Sequence, residues 1–232
     1  MNTRSHETLM KVNFDSSAPH IYPAMQWKVA TGEKPLVLYR DTGIEVGIRQ
    51  WPASSTFHSE RDTLCYFQRG SATFYRDNGE IIAVAPGTLV HFKQEWQGTI
   101  DVSDPLEASY VVCSGGPSAV TPVLRDVFTA TPLKDWGAIP TLLEGSSTAA
   151  GILLSREPSG RAESGIWTCT PGTWLCEVTA DEYCHFLDGS CTYTHESGER
   201  IDIEPDTLAF FPKGWKGPCE VRRTMRKVYM IR

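Results

Sequence analysis

DEYCHFLDGSCTYTHESGERIDIEPDTLAFFPKGWKG, residues 181–217, repeats with changes the earlier stretch DTLCYFQRGSATFYRDNGEIIAVAPGTLVHFKQEWQG, residues 62–98. The two stretches align without a gap at a constant offset of 119 positions. Glycines and tryptophans recur at equal places, such as Gly79 with Gly198 and Trp96 with Trp215. Chance does not align this many turn and core residues, so the chain contains an internal duplication.

The duplication predicts two domains. Upstream the offset becomes 118, as Gly47 and Gly165 show. One residue is therefore missing from the first copy or added in the second, and we place this difference near residues 60–63. A period of this length is typical of two tandem domains rather than of a solenoid of short repeats. We expect an N-terminal domain over residues 20–115 and a C-terminal domain over residues 125–232, with a linker around residues 114–118.

Each copy has the pattern of short strands separated by turns. In the second copy, residues 200–203 alternate between polar and apolar, as a half-buried strand does, and Glu196-Ser197-Gly198 before them is a hairpin turn signal. No apolar stripe of helical period has a convincing length. Many short antiparallel strands in about 100 residues indicate an all-β fold in which each copy closes into a double-stranded β-helix, or jelly-roll, barrel.

Composition and charge narrow the function classes. The 232 residues carry a formal net charge of −6, whereas a protein that binds nucleic acid usually presents a basic face. No apolar stretch approaches the roughly 20 residues that span a bilayer, and the polar stretch 1–17 lacks the apolar core of a signal peptide. We therefore expect neither a nucleic-acid partner nor a membrane partner. The one basic cluster is interpreted as the solvated edge of a last strand: Arg222, Arg223, Arg226 and Lys227.

The cysteines indicate the compartment. There are seven of them, an odd number, and none forms a CxxC pair. Scattered, unpaired cysteines fit a reducing compartment better than a disulfide framework. We therefore expect a cytoplasmic protein.

The second copy resembles the cupin superfamily. The resemblance is carried by motifs rich in glycine, proline and tryptophan: Gly165-Ile166-Trp167, Pro171-Gly172-x-Trp174, Asp181-Glu182, Leu187-Asp188-Gly189, Pro205-Asp206, Pro212-Lys213-Gly214-Trp215-x-Gly217 and Arg226-Lys227-x-Tyr229. These motifs are most similar to the ureidoglycine aminohydrolase-type cupin domain of unknown function and to ethanolamine-utilisation cupins. The resemblance implies a bicupin, with two cupin barrels in tandem. It implies little about activity, because cupins host many chemistries on one barrel.

The resemblance also implies a metal-ligand set that is mostly missing here. Metal-dependent cupins hold a divalent ion with three histidines and one carboxylate. Glu182 stands at the carboxylate position, but Cys176 and Val178 stand where two of the histidines belong. Gly217 stands at the last histidine position. We therefore expect no metal cofactor, with a divalent transition metal as the alternative.

The first copy offers a fallback metal set of His58, Glu60 and His91. In the upstream alignment, His58 and Glu60 match the two replaced histidine positions, and residues two apart on a strand face the same side. Both could then point into the barrel, where His91 on a neighbouring strand could join them. The alternative, which we favour, is a hydrogen-bonded His–Glu pair on the strand or its surface.

Glu182 is the candidate catalytic residue. It has the parity of Cys184 and Phe186, so we expect it to face the barrel interior, where a carboxylate needs a partner. Lys227 is the natural partner, and such a pair could be structural, could bind a polar ligand or could act as a general base. The candidate ligand-binding residues are Glu182, Cys176, Cys184, Trp174, Lys227 and Tyr229.

Three functions remain open. The first is small-molecule binding by a bicupin, with its pocket in the C-terminal barrel around Glu182. The second, implied by the resemblance, is metal-dependent hydrolysis of small nitrogenous metabolites, as in ureidoglycine aminohydrolase. The third is a non-catalytic structural or regulatory role. We expect a small-molecule ligand and a homodimer, because pairing between chains covers exposed strand edges.

Overall fold

The protein is described by a computed structural model that covers residues 25–28, 36–40, 43–115, 118, 120–130, 132–157 and 162–232. Its strands form two curled sheets, and this confirms the predicted all-β class and tandem barrels. The N-terminal sheet contains β2 (Leu36–Arg40), β3 (Ile44–Trp51), β4 (Ser55–Ser59), β5 (Asp62–Arg76), β6 (Ile81–Val84), β7 (Leu89–Phe92), β8 (Trp96–Cys113) and β9 (Val123–Leu124). The C-terminal sheet contains β1 (Met25–Lys28), β10 (Lys134–Ala138), β11 (Leu142–Gly145), β12 (Thr148–Arg156), β13 (Glu163–Cys169), β14 (Gly172–Glu177), β15 (Glu182–Thr194), β16 (Arg200–Ile203), β17 (Thr207–Phe211) and β18 (Lys216–Ile231). Within the described ranges, no helix is long and apolar enough to cross a membrane.

The longest strands curl each sheet into a barrel. β5 pairs with β8 along its length, with β7 beside its first part and β6 beside its last part. The register against β8 shifts between Phe67 and Ala72, around Gly70, whose φ of 75° suits a residue without a Cβ. A Cβ there would collide with the backbone carbonyl of Pro105. Gly189, with a φ of 91°, gives β15 the same bend in the C-terminal barrel.

The two barrels consist of equivalent strands, but the one-residue difference lies elsewhere than predicted. β3 and β13 keep the offset of 118 in their pairing with β8 and β18. β4 and β14 already have the offset of 119, because Phe57 pairs with Gly98 and Cys176 pairs with Gly217. The missing residue therefore belongs to the turn between β3 and β4, and its predicted place near residues 60–63 is wrong.

The barrels pack against each other around a local two-fold axis. Tyr66 on β5 and His185 on β15 are equivalent residues, and their rings meet edge to face with centroids 4.8 Å apart. Equivalent residues contact each other in this way close to the axis that relates two halves. The buried apolar interface around them draws on both sheets: Ile44, Val46, Ile48, Leu64, Val111, Ile166, Tyr183, Leu187, Leu208, Phe210, Val228 and Met230.

A short strand covers an equivalent edge of each barrel. β1 comes early in the chain but pairs with β17 of the C-terminal sheet, whereas β9 follows the first barrel and pairs with β7 of the N-terminal sheet. β7 and β17 are equivalent, so the same edge of each barrel is covered. β1 lies within the first predicted domain, residues 20–115, although its sheet is the C-terminal one.

A buried polar cluster joins the barrels beside the apolar interface. Asp62 accepts hydrogen bonds from His91 Nε2 at 3.1 Å, from Lys93 Nζ at 2.5 Å and from the backbone N–H of Gln94 at 2.8 Å. Burial alone would raise the pKa of Asp62, but these hydrogen bonds outweigh it and lower that pKa. Burial lowers the pKa of His91, so its ring is neutral, and Nδ1 accepts a hydrogen bond from Ser164 Oγ of the other barrel at 3.0 Å.

Candidate functional site

Aromatic rings fill the interior of the N-terminal barrel. The rings of Phe57, Phe74 and Trp96 lie with pairwise centroid distances of 5.6 to 6.0 Å, and Trp51 packs against the first two. All four side chains are buried. This barrel interior is a packed hydrophobic core.

The C-terminal barrel has smaller residues at two of these positions and contains a cavity. The strand register places Cys176 where the N-terminal barrel has Phe57, and Cys169 where it has Trp51. The small cysteine side chains at these two positions leave room for a cavity of about 390 Å³, which is in the range of small-molecule sites. The cavity is lined by Trp136, Ile139, Pro140, Thr141, Glu163, Trp167, Trp174, Leu175, Cys176, Glu177, Glu182, Tyr193, Phe211, Lys227, Tyr229 and Ile231.

Glu182 and Lys227 form an ion pair on the wall of this cavity. Lys227 Nζ lies 2.7 Å from Glu182 Oε1 and 3.3 Å from Cys184 Sγ. The two charged side chains are 16% and 8% exposed, so the pair is largely removed from water. Lys227 is thus the partner that the sequence predicts for Glu182.

The surroundings of the pair set the protonation of its members. Burial alone would lower the pKa of Lys227, but the adjacent Glu182 carboxylate outweighs it and raises that pKa, so the amine stays an ammonium ion. Burial raises the pKa of Cys184 and of Cys176 well above the usual thiol range. Both cysteines are therefore neutral thiols and poor nucleophiles.

Tryptophan rings form the walls of the cavity above the ion pair. Trp167 and Trp174 meet edge to face with centroids 6.0 Å apart, and Lys227 Nζ lies 4.9 Å from the centroid of the Trp167 ring. The ring of Trp136 on β10 lies over Gly151 of β12. Glycine allows this contact, because a Cβ at this position would collide with the ring. With 38% of its surface exposed, Trp136 stands at the mouth.

A polar trio at the mouth of the cavity occurs in both barrels. Tyr229 donates a hydrogen bond to Glu163 Oε1 at 3.2 Å, and Arg156 binds the other oxygen of the same carboxylate at 2.6 Å. In the N-terminal barrel the corresponding trio is Arg40, Glu45 and Tyr110. Because the trio is also present where the interior is filled, it stabilises the barrel mouth irrespective of any ligand.

Comparison with known proteins identifies the fold. Residues 156–229 match the family of EutQ-like cupin domains, and solved cupin structures match nearly the whole chain. The chain has the cupin fold. A protein of unknown function from Pseudomonas syringae pv. tomato superposes with a TM-score of 0.70 at 15% identity, over 84% of this chain and 85% of that chain.

Two further cupin-like structures match at lower identity. A cupin 2 conserved barrel domain protein from Leptotrichia buccalis has a TM-score of 0.60 at 10% identity, covering 92% of this chain and 91% of that chain. A variant of salicylate 1,2-dioxygenase from Pseudoaminobacter salicylatoxidans has a TM-score of 0.65 at 11% identity, with 94% and 86% covered. At these identities the likeness shows the fold alone. No curated protein matches the sequence significantly.

The donors inside the C-terminal cupin barrel do not fit the metal ion that some cupins hold. Among the described residues, no cluster of three histidine, cysteine, aspartate or glutamate side chains could bind an ion. The ammonium of Lys227 already binds one oxygen of Glu182, and the described residues do not group two further ligands around that carboxylate. Gly217, at the last histidine position, is pressed against the backbone carbonyl of Thr194, so a side chain there would collide with it.

The fallback metal set of the N-terminal barrel is not assembled. His58 and Glu60 are exposed, and His58 Nε2 lies 3.9 Å from Glu95 Oε2 on the outer face. The corrected offset equates His58 with Glu177 rather than with an inward-facing residue, and a one-residue slip moves a side chain to the other face of a strand. His91 is buried at the interface between the barrels. The inward orientation of His58 and Glu60 that the alignment allowed is therefore wrong.

Most of the predicted ligand-binding residues meet at the cavity. Glu182, Cys176, Trp174, Lys227 and Tyr229 line it, and Cys184 lies behind the ion pair. The solvated position predicted for the basic cluster is wrong for Lys227, whose side chain lines the cavity and is 8% exposed. Four other lining residues were not predicted from the sequence: Trp136, Glu163, Trp167 and Glu177. Trp167 could have been found, because it stands in one of the cupin-like motifs.

Proposed function

We propose that the C-terminal cupin barrel binds a small polar molecule and that Glu182 contacts it. The observation that carries this proposal is the cavity of about 390 Å³, whose wall presents the Glu182–Lys227 ion pair between tryptophan rings. Mostly apolar pockets with a few convergent polar groups are the usual sites of small-molecule binding. The N-terminal barrel, with its filled interior, serves as the scaffold.

The duplication provides an internal comparison that favours a ligand role for the ion pair. The N-terminal barrel has Thr63 at the position of Glu182 and Ala108 at the position of Lys227. Thr63 is buried and shares a hydrogen bond with Ser59 Oγ at 2.9 Å. A cupin barrel of this chain is thus built without the charged pair, so the pair is not a requirement of the fold.

The alternatives have less support. Metal-dependent hydrolysis of the ureidoglycine aminohydrolase kind needs a metal site, and the donor set does not fit one. A purely structural role leaves the cavity and its charged wall without a purpose. We also propose a cytoplasmic location, because all seven cysteines are free and buried, as in proteins of reducing compartments.

A thermal-shift screen with small polar metabolites tests the binding proposal. The parent is compared with Cys176→Phe, which places in the cavity the residue that the N-terminal barrel has at the same position. A ligand at a hundredfold excess over its Kd stabilises by about 2.7 kcal/mol, which is a rise of roughly 5–10 °C in melting temperature for a chain of this size. We expect at least one metabolite to stabilise the parent in this way and to leave Cys176→Phe unchanged. Equal shifts in both proteins would refute the pocket.

A further inference from the structure

We infer that the ligand of the C-terminal barrel is a small organic cation, specifically a protonated amine that donates a hydrogen bond to Glu182. This inference rests on the proposed function and adds the chemical class of the ligand. It follows from two properties of the cavity: the polar atom that is left available and the aromatic rings around it.

The available polar group is a carboxylate oxygen. Glu182 Oε1 lies within hydrogen-bond distance of both Lys227 Nζ and Cys184 Sγ. Within the described part of the chain, Oε2 of the same carboxylate has no hydrogen-bond partner, and Glu182 lines the cavity with 16% of its side chain exposed. A carboxylate accepts hydrogen bonds and donates none, so the group that completes this site is a donor.

The Lys227 ammonium is already satisfied and is therefore a poor receptor for an anion. Its nitrogen contacts Glu182 Oε1 at 2.7 Å and Cys184 Sγ at 3.3 Å, and it faces the Trp167 ring at 4.9 Å. A charged ligand of either sign beside this pair meets one like and one opposite charge, so the polar atom that is still available decides which group binds, and that atom is an acceptor.

The aromatic walls favour a cation. Ring faces carry negative electrostatic potential and attract ammonium groups within about 6 Å of their centroids. Lys227 shows that one wall of the cavity already accepts an ammonium, through Trp167. Trp174 and Trp136 extend the same lining from the interior to the mouth. A ligand cation would lie against these rings with its donor directed at Glu182.

Isothermal titration with probes matched in size tests the charge preference. Benzylamine carries an ammonium at neutral pH, benzyl alcohol is neutral, and benzoate is an anion. A fourth probe, benzyltrimethylammonium, keeps the positive charge and lacks the N–H donor. We expect benzylamine to bind at least tenfold more tightly than benzyl alcohol or benzoate, and more tightly than benzyltrimethylammonium, because only benzylamine combines a positive charge with a hydrogen-bond donor.

Two variants locate the effect at the carboxylate. Glu182→Gln keeps the shape and removes the charge, and we expect it to weaken benzylamine binding roughly tenfold to a hundredfold while leaving benzyl alcohol unchanged. If this variant folds poorly, the double variant Glu182→Thr/Lys227→Ala replaces it, since the N-terminal barrel accommodates the same two residues. It should lose the preference for the amine in the same way.

The outcomes separate the inference from the proposal on which it depends. Tighter binding of benzoate or benzyl alcohol than of benzylamine, blocked by Cys176→Phe, would leave the pocket standing and overturn the cationic ligand. Undiminished benzylamine binding by Glu182→Gln would overturn the role of the carboxylate. If Cys176→Phe binds every probe as the parent does, or if no probe binds the parent at millimolar concentration, the pocket proposal itself fails.

Discussion

The ion pair between Glu182 and Lys227 places two charges at positions where the N-terminal barrel has neutral residues. Each charge loses hydration on burial, and their contact at 2.7 Å compensates for part of the loss. Removal of one partner would leave the other charge without compensation. Thr63 and Ala108 in the N-terminal barrel provide a neutral replacement of known fit.

A double-mutant cycle measures this coupling. We predict that Glu182→Thr and Lys227→Ala each lower the free energy of unfolding by about 2–4 kcal/mol, because each leaves an unpaired charge in the barrel. The double variant should lie within about 1 kcal/mol of the parent. Urea denaturation of the four proteins provides the values. Losses that simply add in the double variant would show that the two charges do not stabilise each other.

The His91 cluster at the interface makes stability depend on pH. The folded protein keeps His91 neutral because burial lowers its pKa, whereas the unfolded chain takes up a proton near pH 6.5. The unfolded state therefore binds more protons as the pH falls, and stability decreases below about pH 6.5. The lowered pKa of Asp62 adds a second loss below about pH 4, where the unfolded carboxyl becomes protonated first.

The equivalent residues of the other barrel again provide a variant. In the double variant, each residue is replaced by the type that the other barrel has at the equivalent position. His91→Phe follows Phe210, and Ser164→Val follows Val46. We predict that this double variant loses less stability than the parent between pH 6.5 and pH 5, by at most about 1.4 kcal/mol per pH unit. Urea denaturation over this range measures it, with His58→Gln on the exposed face as the control. A parallel pH profile in variant and parent would contradict the neutral state of His91.

In both barrels, two neighbouring strands approach each other so closely at one position that only glycine fits there. A Cβ on Gly217 of β18 would collide with the carbonyl of Thr194 on β15, and a Cβ on Gly98 of β8 would collide with the carbonyl of Tyr75 on β5. The cupin resemblance puts a metal-binding histidine at this position. The strand pairing thus explains why these barrels have glycine there.

Alanine substitutions test this contact. We predict that Gly217→Ala lowers the free energy of unfolding by about 3 kcal/mol, because the strands must separate to admit the methyl group. Gly79→Ala is the control, since its φ of 89° strains alanine but no atom lies within 4 Å of the added Cβ; its cost should be about 1–2 kcal/mol. Calorimetry or urea denaturation compares them. A loss at Gly217 no greater than that at Gly79 would refute the close approach.

Strand register decided which parts of the site the sequence could predict. The gapless repeat predicted that Glu182 faces the interior, and the structure places it there with Lys227. The orientation of His58 failed because the missing residue was placed after β4 instead of before it, and a slip of one residue exchanges the two faces of a strand. Trp136 was missed because β10 lies upstream of the stretch that the duplication aligns.

At the scale of the whole molecule, the chain is arranged like a dimer of its own two halves. Duplication predicted the two barrels, whereas their face-to-face packing and the pairing of β1 with the C-terminal sheet depend on tertiary contacts that no local pattern encodes. The sequence did not predict the volume of the cavity either, because it depends on the sizes of residues at equivalent positions of the two barrels and not on a motif. A homodimer stays a prediction, which light scattering at micromolar concentration tests.

We predict that the purified protein carries far less than one transition metal ion per chain. The carboxylate at the cupin metal position is bound by the Lys227 ammonium, and the described residues bring no third donor to it. Elemental analysis after purification without chelators measures the content. One tightly held ion per chain would show that the donor set has been misjudged.

We propose that the two cupin barrels have different roles, with a ligand site in the C-terminal barrel and a packed core in the N-terminal one. A crystal structure of the protein soaked with benzylamine distinguishes them. We expect density for the amine inside the C-terminal barrel, with its nitrogen within hydrogen-bond distance of Glu182 and its ring among the tryptophans. Density for the amine in the N-terminal barrel, or a metal ion bound at Glu182 in its place, would contradict it.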